Sequence, residues 1–239
     1  MKHDALMHAQ AVSPQESCGF VLSNGQYFRC NNIAPLPEQH CQWPASDWIR
    51  ASKIAAVAAL VHSHPQGMRC LSLADRQNQL VTQLPWHLVV DGEVLTFPCV
   101  PPLLHRKFQH QHSDCYSLIQ DAYALTGVIL PDFEREEEWW DKGGDLYLEN
   151  VEKAGFHQID MADLQLGDVI LMKIASKKVN HGAVYLGDET LIHHCDRRLS
   201  KRDPYGGAWV RSTHSCWRHN LWQQLDFTGI LNDLVLSTS

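Results

Sequence analysis

The chain has 239 residues, 44% of them hydrophobic and 20% charged, and a formal charge of -7. That length gives room for two modest domains, since domains commonly run about 100–150 residues. A slightly acidic balance without any basic run speaks against nucleic-acid binding, and no stretch approaches the ~18 apolar residues of a membrane-spanning helix.

Taken in order, residues 4–12 read as an amphipathic helix stopped by Ser13-Pro14. Gly19–Leu22 and Tyr27–Cys30 flank an Asn24-Gly25 turn, a strong hairpin signal. Residues 31–44 hold three prolines and read as loop; Trp48–Ala56 is expected to be helical and Ala58–His62 a buried strand. Ser72 is a plausible N-cap for a helix reaching about Leu84, with Asp75 in its first turn. Trp86–Val90 and Glu93–Phe97 form a second hairpin around Asp91-Gly92. Three prolines within residues 98–102 can continue neither strand nor helix, so the domain boundary is placed there, between domains 1–97 and 103–239.

The second half restarts at Ser113-Asp114-Cys115, where either Ser113 or Asp114 can cap a helix running to about Leu125 and ended by Gly127. Cys115 then lies in the first turn, where free backbone N–H groups and the helix dipole favour thiolate. The acidic, aromatic stretch Phe133–Asp141 reads as a solvated loop or short helix, and Leu146–Ala154 as a helix closed by Gly155. Val169–Ile174, His181–Leu186 and Thr190–Cys195 are strands separated by turns. The N-terminus, Met1-Lys2-His3-Asp4, carries no apolar leader, so a soluble protein made in a cytoplasm is expected. The eight cysteines (18, 30, 41, 70, 99, 115, 195, 216) include no Cys-x-x-Cys pair and are expected to stay reduced.

Two constellations carry chemistry. His62-Ser63-His64-Pro65 ends the buried strand, and side chains two apart on a strand share a face. Imidazole and carboxylate suit zinc, and a catalytic zinc keeps three protein ligands with the fourth position open to water. His62, His64 and Asp75 supply that count. A lone His-x-His would be a polar loop more often than a ligand pair. The full pattern, Glu16 in Glu-Ser-Cys-Gly-Phe, then His-Ser-His-Pro, seven residues, Ser72, two residues and Asp75, resembles the JAMM (MPN+) metallopeptidase signature. The resemblance makes His62, His64 and Asp75 zinc ligands, Glu16 the general base and Ser72 a partner for the developing oxyanion. Leu71 stands where many relatives have Pro or Ser, a departure that leaves the chemistry untouched.

In the second half a thiol needs a base beside it and a third group to hold the base. Taken singly, Cys115 reads as a structural thiol and His181 as an ordinary surface residue. His193 and His194 point to opposite faces of a strand, so only one of them can orient His181. Together, Asp114-Cys115-Tyr116-Ser117 opening a helix, Leu164-x-x-Gly167-Asp168-Val169 at a strand start, His181-Gly182-Ala183-Val184-Tyr185-Leu186-Gly187 and Leu191-Ile192-His193 resemble the NlpC/P60 papain-like peptidases over roughly residues 103–215. That resemblance makes Cys115 the nucleophile, His181 the base and His193 the orienting residue, with backbone N–H groups near Cys115 forming part of an oxyanion hole. Tyr116 departs from the commoner Asp-Cys-Ser-Gly, which bears on substrate preference.

The expected fold class is therefore α/β plus α+β, a JAMM-type, cytidine-deaminase-like three-layer domain followed by a papain-like NlpC/P60 domain. That order resembles the two-domain tail assembly proteins of lambda-like long-tailed phages. It implies a Zn2+ cofactor, tail tip proteins as partners, peptidoglycan stem peptides as a substrate, and action in the host during assembly, at the virion tail tip and on the periplasmic wall. The competing readings are a structural assembly factor built on peptidase folds with vestigial sites, and a deubiquitinase-like enzyme, which the cysteine peptidase half weakens.

Overall fold

Alternating apolar residues on either side of Asn24-Gly25 close the first hairpin, β1 (Cys18–Leu22) against β2 (Tyr27–Cys30), with Cys18 opposite Cys30 and Val21 opposite Tyr27. The computed structural model describes residues 1–136 and 144–237, so part of the Phe133–Asp141 stretch lies outside the described residues. The chain divides into two compact units, Met1–Val100 with Leu125–Gly127, and Pro101–Ala124 with Val128–Ser239.

In the first unit β1 also pairs antiparallel with β3 (Val57–Ser63), which runs parallel to β4 (Trp86–Val90); β5 (Glu93–Phe97) closes the edge by a hairpin, giving the order β2-β1-β3-β4-β5. The parallel step needs a crossover, supplied by α3 (Leu73–Thr82). Helices cover both faces. Ala5 of α1 (Lys2–Val12) packs with Tyr27, Val61 and Val89. On the opposite face Ala51 of α2 (Ala45–Ser52) joins Phe20, Leu60, Trp86 and Leu88. Alternation along β3 thus sends Val61 to one core and Leu60 to the other.

Several boundaries differ from the sequence reading; the strands expected over Val169–Ile174 and Thr190–Cys195, for example, each stop two residues short. The helix expected over Trp48–Ala56 begins at Ala45, directly after Pro44, whose φ of -64° already suits a helix entry. The helix from Ser72 stops at Thr82 instead of Leu84, because Gln83 turns left-handed and Leu84 precedes Pro85, which disfavours helical backbone. Leu146–Ala154 is helical only over α5 (Leu146–Asn150) and continues as turns to Gly155, at φ +93°. The thiols are not all free either: Cys18 and Cys41 form a disulfide with Cα atoms 6.2 Å apart. The loop after β2 folds back over β1, held by Trp43 Nε1 on the Gly19 carbonyl and by Asn32, which bonds the carbonyls of Glu16, Pro37 and His40. Sequence spacing carries no trace of that return.

The second unit places α4 (Cys115–Ala124) across a six-stranded antiparallel sheet ordered β10-β9-β8-β7-β11-β6. The strands are β6 (Phe156–Ile159), β7 (Val169–Met172), β8 (His181–Gly187), β9 (Thr190–His193), β10 (Lys201–Pro204) and β11 (Thr213–His219). Short helices α6 (Ala208–Ser212) and α7 (Thr228–Leu236) complete it. Strands β6, β10 and β11 and helices α6 and α7 escaped the sequence reading. β10 reads Lys-Arg-Asp-Pro and β11 Thr-His-Ser-Cys-Trp-Arg-His, with no apolar alternation to betray a strand.

Two devices fix the entry to β7. Gly167, at φ +93°, has the Phe227 ring 2.1 Å from where a Cβ would sit, so no side chain fits. Fully buried Asp168 accepts two hydrogen bonds from the Arg218 guanidinium of β11, at 2.9 and 2.6 Å, and one from the Gln165 N–H at 2.7 Å. Breaking a buried pair on one side leaves an uncompensated charge. Asp168→Ala is expected to lower unfolding free energy by about 3 kcal/mol in urea titration; a loss under about 1 kcal/mol would show that the pair does not hold the turn.

Candidate active sites

In the first unit the metal-type cluster grows out of β3 and the start of α3. Antiparallel pairing sets Cys18 opposite His62, and the same register carried two residues on sets Glu16 opposite His64. Ser17 N–H donates to Ser63 Oγ at 2.7 Å and Ser63 N–H to the Ser17 carbonyl at 3.2 Å, which extends the pairing as that register requires. Glu16, His62 and His64 therefore share a face and are all buried.

Asp75 arrives through a helix cap. Ser72 Oγ accepts from the Asp75 N–H while Asp75 Oδ2 accepts from the Ser72 N–H, a reciprocal capping box that opens α3. The same Oδ2 lies 3.3 Å from Nε2 of both His62 and His64, whose Nε2 atoms are 3.0 Å apart. Three ligand atoms on a tetrahedral zinc, at about 2.0–2.1 Å from the ion, stand about 3.3 Å from one another. The donor set and its spacing fit that ion, and two imidazole nitrogens with a carboxylate are zinc donors by chemistry. His64 Nδ1 bonds the Met68 carbonyl at 2.8 Å, which fixes the ring with Nε2 as the free lone pair.

Burial pushes the Asp75 carboxyl up, but His62, His64 and the Ser72 hydroxyl hold it well below the usual range. Glu16 is pushed up by burial, against the pull of the two histidines, as a base in a half-closed site requires. Ser72, expected as an oxyanion partner, is engaged with Asp75 in this structure. Its hydroxyl donates to Asp75 Oδ2 at 2.6 Å, so in this geometry it positions the carboxylate.

The second unit's cluster forms where α4 meets β8. Asp114 caps α4, its Oδ1 accepting from the N–H groups of Tyr116 and Ser117 at 3.0 and 2.9 Å. Its Oδ2 accepts from Gln111 N–H and from Arg135 Nε, at 2.9 and 3.0 Å. Cys115 follows in the first turn and faces a cavity of about 700 Å³ that His181, His193, His194 and Cys195 also line.

His181 Nε2 lies 3.2 Å from His193 Nδ1, and His193 Nε2 lies 3.1 Å from Asp203 Oδ2. A carboxylate accepts the His193 Nε2–H, which leaves Nδ1 as an acceptor turned toward His181. His194 points the other way, its Nε2 on the Arg198 carbonyl at 3.2 Å and its ring against Phe108. Asp203 and Cys195 were not read from the sequence. Asp203 sits on β10, whose pairing sets Lys201 opposite His193, and only that pairing brings its carboxylate to the imidazole. Lys201 bonds it from the other side at 2.8 Å.

The thiol differs from expectation. Burial pushes Cys115 up to about 11 and the Asp114 charge adds to it, while the Tyr147 hydroxyl, 3.0 Å from Sγ, pulls it down. Desolvation outweighs the helix N-terminus here, so the resting group is a thiol. Burial and the neighbouring imidazoles push His181 down to about 3, so it is neutral at pH 7 and free to accept a proton.

Residues 105–218 match the NlpC/P60 family. The chain is 48% identical over 193 residues to the tail tip assembly protein K of Escherichia phage lambda, covering 81% of this chain and 97% of that protein. It is 34% identical over 227 residues to the tail tip assembly protein K of Escherichia phage N15, covering 90% of this chain and 93% of that one. A solved NlpC/P60 family protein from Bacillus cereus, at a TM-score of 0.36 and 12% identity over 89% of this chain and 66% of its own, is too distant to argue from.

A protonated Cys115 makes alkylation depend on pH in a definite sense. Iodoacetamide reacts with thiolate, so labelling of Cys115, followed by peptide mass spectrometry, should accelerate about tenfold per pH unit from 7 towards about 11. A rate already at its plateau by pH 6 would mean that the resting pair is thiolate and imidazolium. With close relatives matched over nearly their full length, the chain belongs to the family of the tail tip assembly protein K.

Proposed function

We propose that this protein is a tail tip assembly protein with two hydrolytic centres, a cysteine endopeptidase that cuts peptidoglycan stem peptides and a zinc-dependent peptidase or isopeptidase in the first unit. The observation that carries the reading is the Asp203–His193–His181 relay, whose two histidines line the same cavity as Cys115, inside the segment that matches the NlpC/P60 family. Its expected partners are other tail proteins, with assembly in the host and the wall as substrate. No helix among the described residues is long and apolar enough to cross a membrane.

In the cysteine centre His181 takes the Cys115 proton as Sγ attacks the scissile carbonyl carbon. His193 steadies the imidazolium and Asp203 holds His193. With the Tyr116 and Ser117 N–H groups taken by Asp114, the Cys115 N–H would be the backbone donor at the start of α4 for the developing oxyanion. His181 then protonates the leaving amine, and water releases the acyl group from sulfur. Substrate must first draw Sγ away from Tyr147 Oη, its present partner.

In the first unit His62, His64 and Asp75 would hold Zn2+, which when bound acidifies its water and polarises a carbonyl. Glu16, buried on the same face as the two histidines, would serve that centre as general base. The substrate class suggested by the JAMM resemblance is an isopeptide or peptide bond, and a tail protein processed during assembly fits the setting. The Tyr147-bound, protonated Cys115 favours one rival reading, an assembly factor whose peptidase folds no longer turn over.

Purified Gram-negative peptidoglycan separates the two. Muropeptide release should persist with a chelator present, vanish in Cys115→Ala, and fall by a factor of 100 or more in His193→Ala but little in His194→Ala. Unchanged muropeptides with folded wild-type protein would support the assembly-factor reading. For the first unit, the His62→Ala/His64→Ala double variant should carry about one metal equivalent fewer than wild type by elemental analysis; equal content would remove the zinc assignment.

A further inference from the structure

Cys195 has no part in the peptidase reading, yet it stands within reach of both catalytic-type histidines. The β8–β9 register sets Ala183 opposite His193, and carried two residues on it sets His181 opposite Cys195. His193 and Cys195, two apart, share a face. Cys195 Sγ lies 3.4 Å from His193 Nδ1 and 4.0 Å from His181 Nε2, and those two nitrogens are 3.2 Å apart. Around one tetrahedral zinc, imidazole nitrogens stand about 3.3 Å apart and a nitrogen and a thiolate about 3.6 Å. The three atoms form a triangle of that size, and all three residues line the cavity.

A second observation points the same way. Histidines that bind metal give their other ring N–H to a carboxylate, which fixes the tautomer. His193 does this: Nε2 meets Asp203 Oδ2 at 3.1 Å, so the Nδ1 lone pair is presented to the cluster. Both histidines are buried, while Cys195 is half-exposed at the cavity, which gives an ion a way in.

We propose that His181, His193 and Cys195 form a second metal site, for a thiophilic divalent ion such as Zn2+, separate from His62, His64 and Asp75. Cys195 gives up its thiol proton to solvent and its sulfur binds the ion. The single proton of neutral His181 moves from Nε2 to Nδ1, which frees Nε2 for the ion, and water takes the fourth position. The consequence for catalysis rests on the peptidase reading. An imidazole bound through Nε2 carries its remaining proton on Nδ1 and has no lone pair left for the Cys115 proton. Metal occupancy and general-base catalysis by His181 exclude each other, so the ion keeps the cysteine centre inactive until it is removed.

Cobalt makes the site visible without turnover. Thiolate bound to Co2+ gives a near-ultraviolet charge-transfer band, which the all-nitrogen-and-oxygen cluster of the first unit cannot produce. Co2+ added to the full, reduced chain should raise that band in wild type, in His62→Ala/His64→Ala and in Cys115→Ser, and the band should be absent from Cys195→Ser. A wild type without the band, or a Cys195→Ser variant that keeps it, overturns the site. A wild-type measurement stands beside the variants: saturating Zn2+ should slow iodoacetamide labelling of Cys195 at least tenfold by peptide mass spectrometry, and an unchanged rate overturns the site as well. Neither readout needs peptidase activity, so failure of the metal site and failure of the peptidase reading are told apart.

Discussion

The closeness of α4 to β8 is the contact on which the second unit's chemistry depends. Gly182 makes it possible: a Cβ there would meet Ile119 Cδ1 at 2.8 Å and Tyr147 Oη at 3.4 Å. With hydrogen in that place, the helix settles against the strand, and Cys115 at its first turn and His181 beside Gly182 line one cavity. A side chain at 182 would have to displace the Ile119 methyl and would crowd the Tyr147 hydroxyl, which stands beside Cys115 Sγ. Tyr147, at the same point, fills the space beside Sγ and stacks edge-on against Tyr116.

Both units deliver a reactive group through a helix cap. Asp75 closes the capping box of α3 and turns the same oxygen to the two histidines. Asp114 caps α4, ties down Arg135, and so places the next residue, Cys115, at the helix mouth. A cap constrains backbone and side chain together, so the position of the chemical group is set when the helix forms. In the first site the carboxylate itself belongs to the cluster; in the second it stands behind the nucleophile, where its negative charge works against thiolate.

The second cluster also illustrates the competition between dipole and dielectric. The start of a helix favours an anion by a modest amount. Removal of Cys115 from water costs the anion more, and the same burial keeps His181 neutral. A neutral pair is a sound starting point for proton transfer, because the base retains its lone pair. It also leaves the imidazole nitrogens free for a metal, which a resting imidazolium would not.

The hydrophobic alternation of β1 to β5, the turn pairs Asn24-Gly25 and Asp91-Gly92, and the cap at Ser72 are local, and the sequence by itself determined them; for α4 it offered Ser113 or Asp114, and the structure uses Asp114. The groupings His62, His64, Asp75 and Cys115, His181, His193 were suggested by the resemblance of their motifs to peptidase signatures, and the structure brings each set together. Only the tertiary structure decided the rest. Asp203 and Cys195 reach the histidines by cross-strand register, and β10 and β11, being polar, announce no strand. Cys18 finds Cys41 because a loop returns over β1, and Cys115 is a thiol because of what buries it. Local pattern records periodicity and turn chemistry; long-range pairing and solvent exclusion depend on the assembled core, and no short window of sequence contains them.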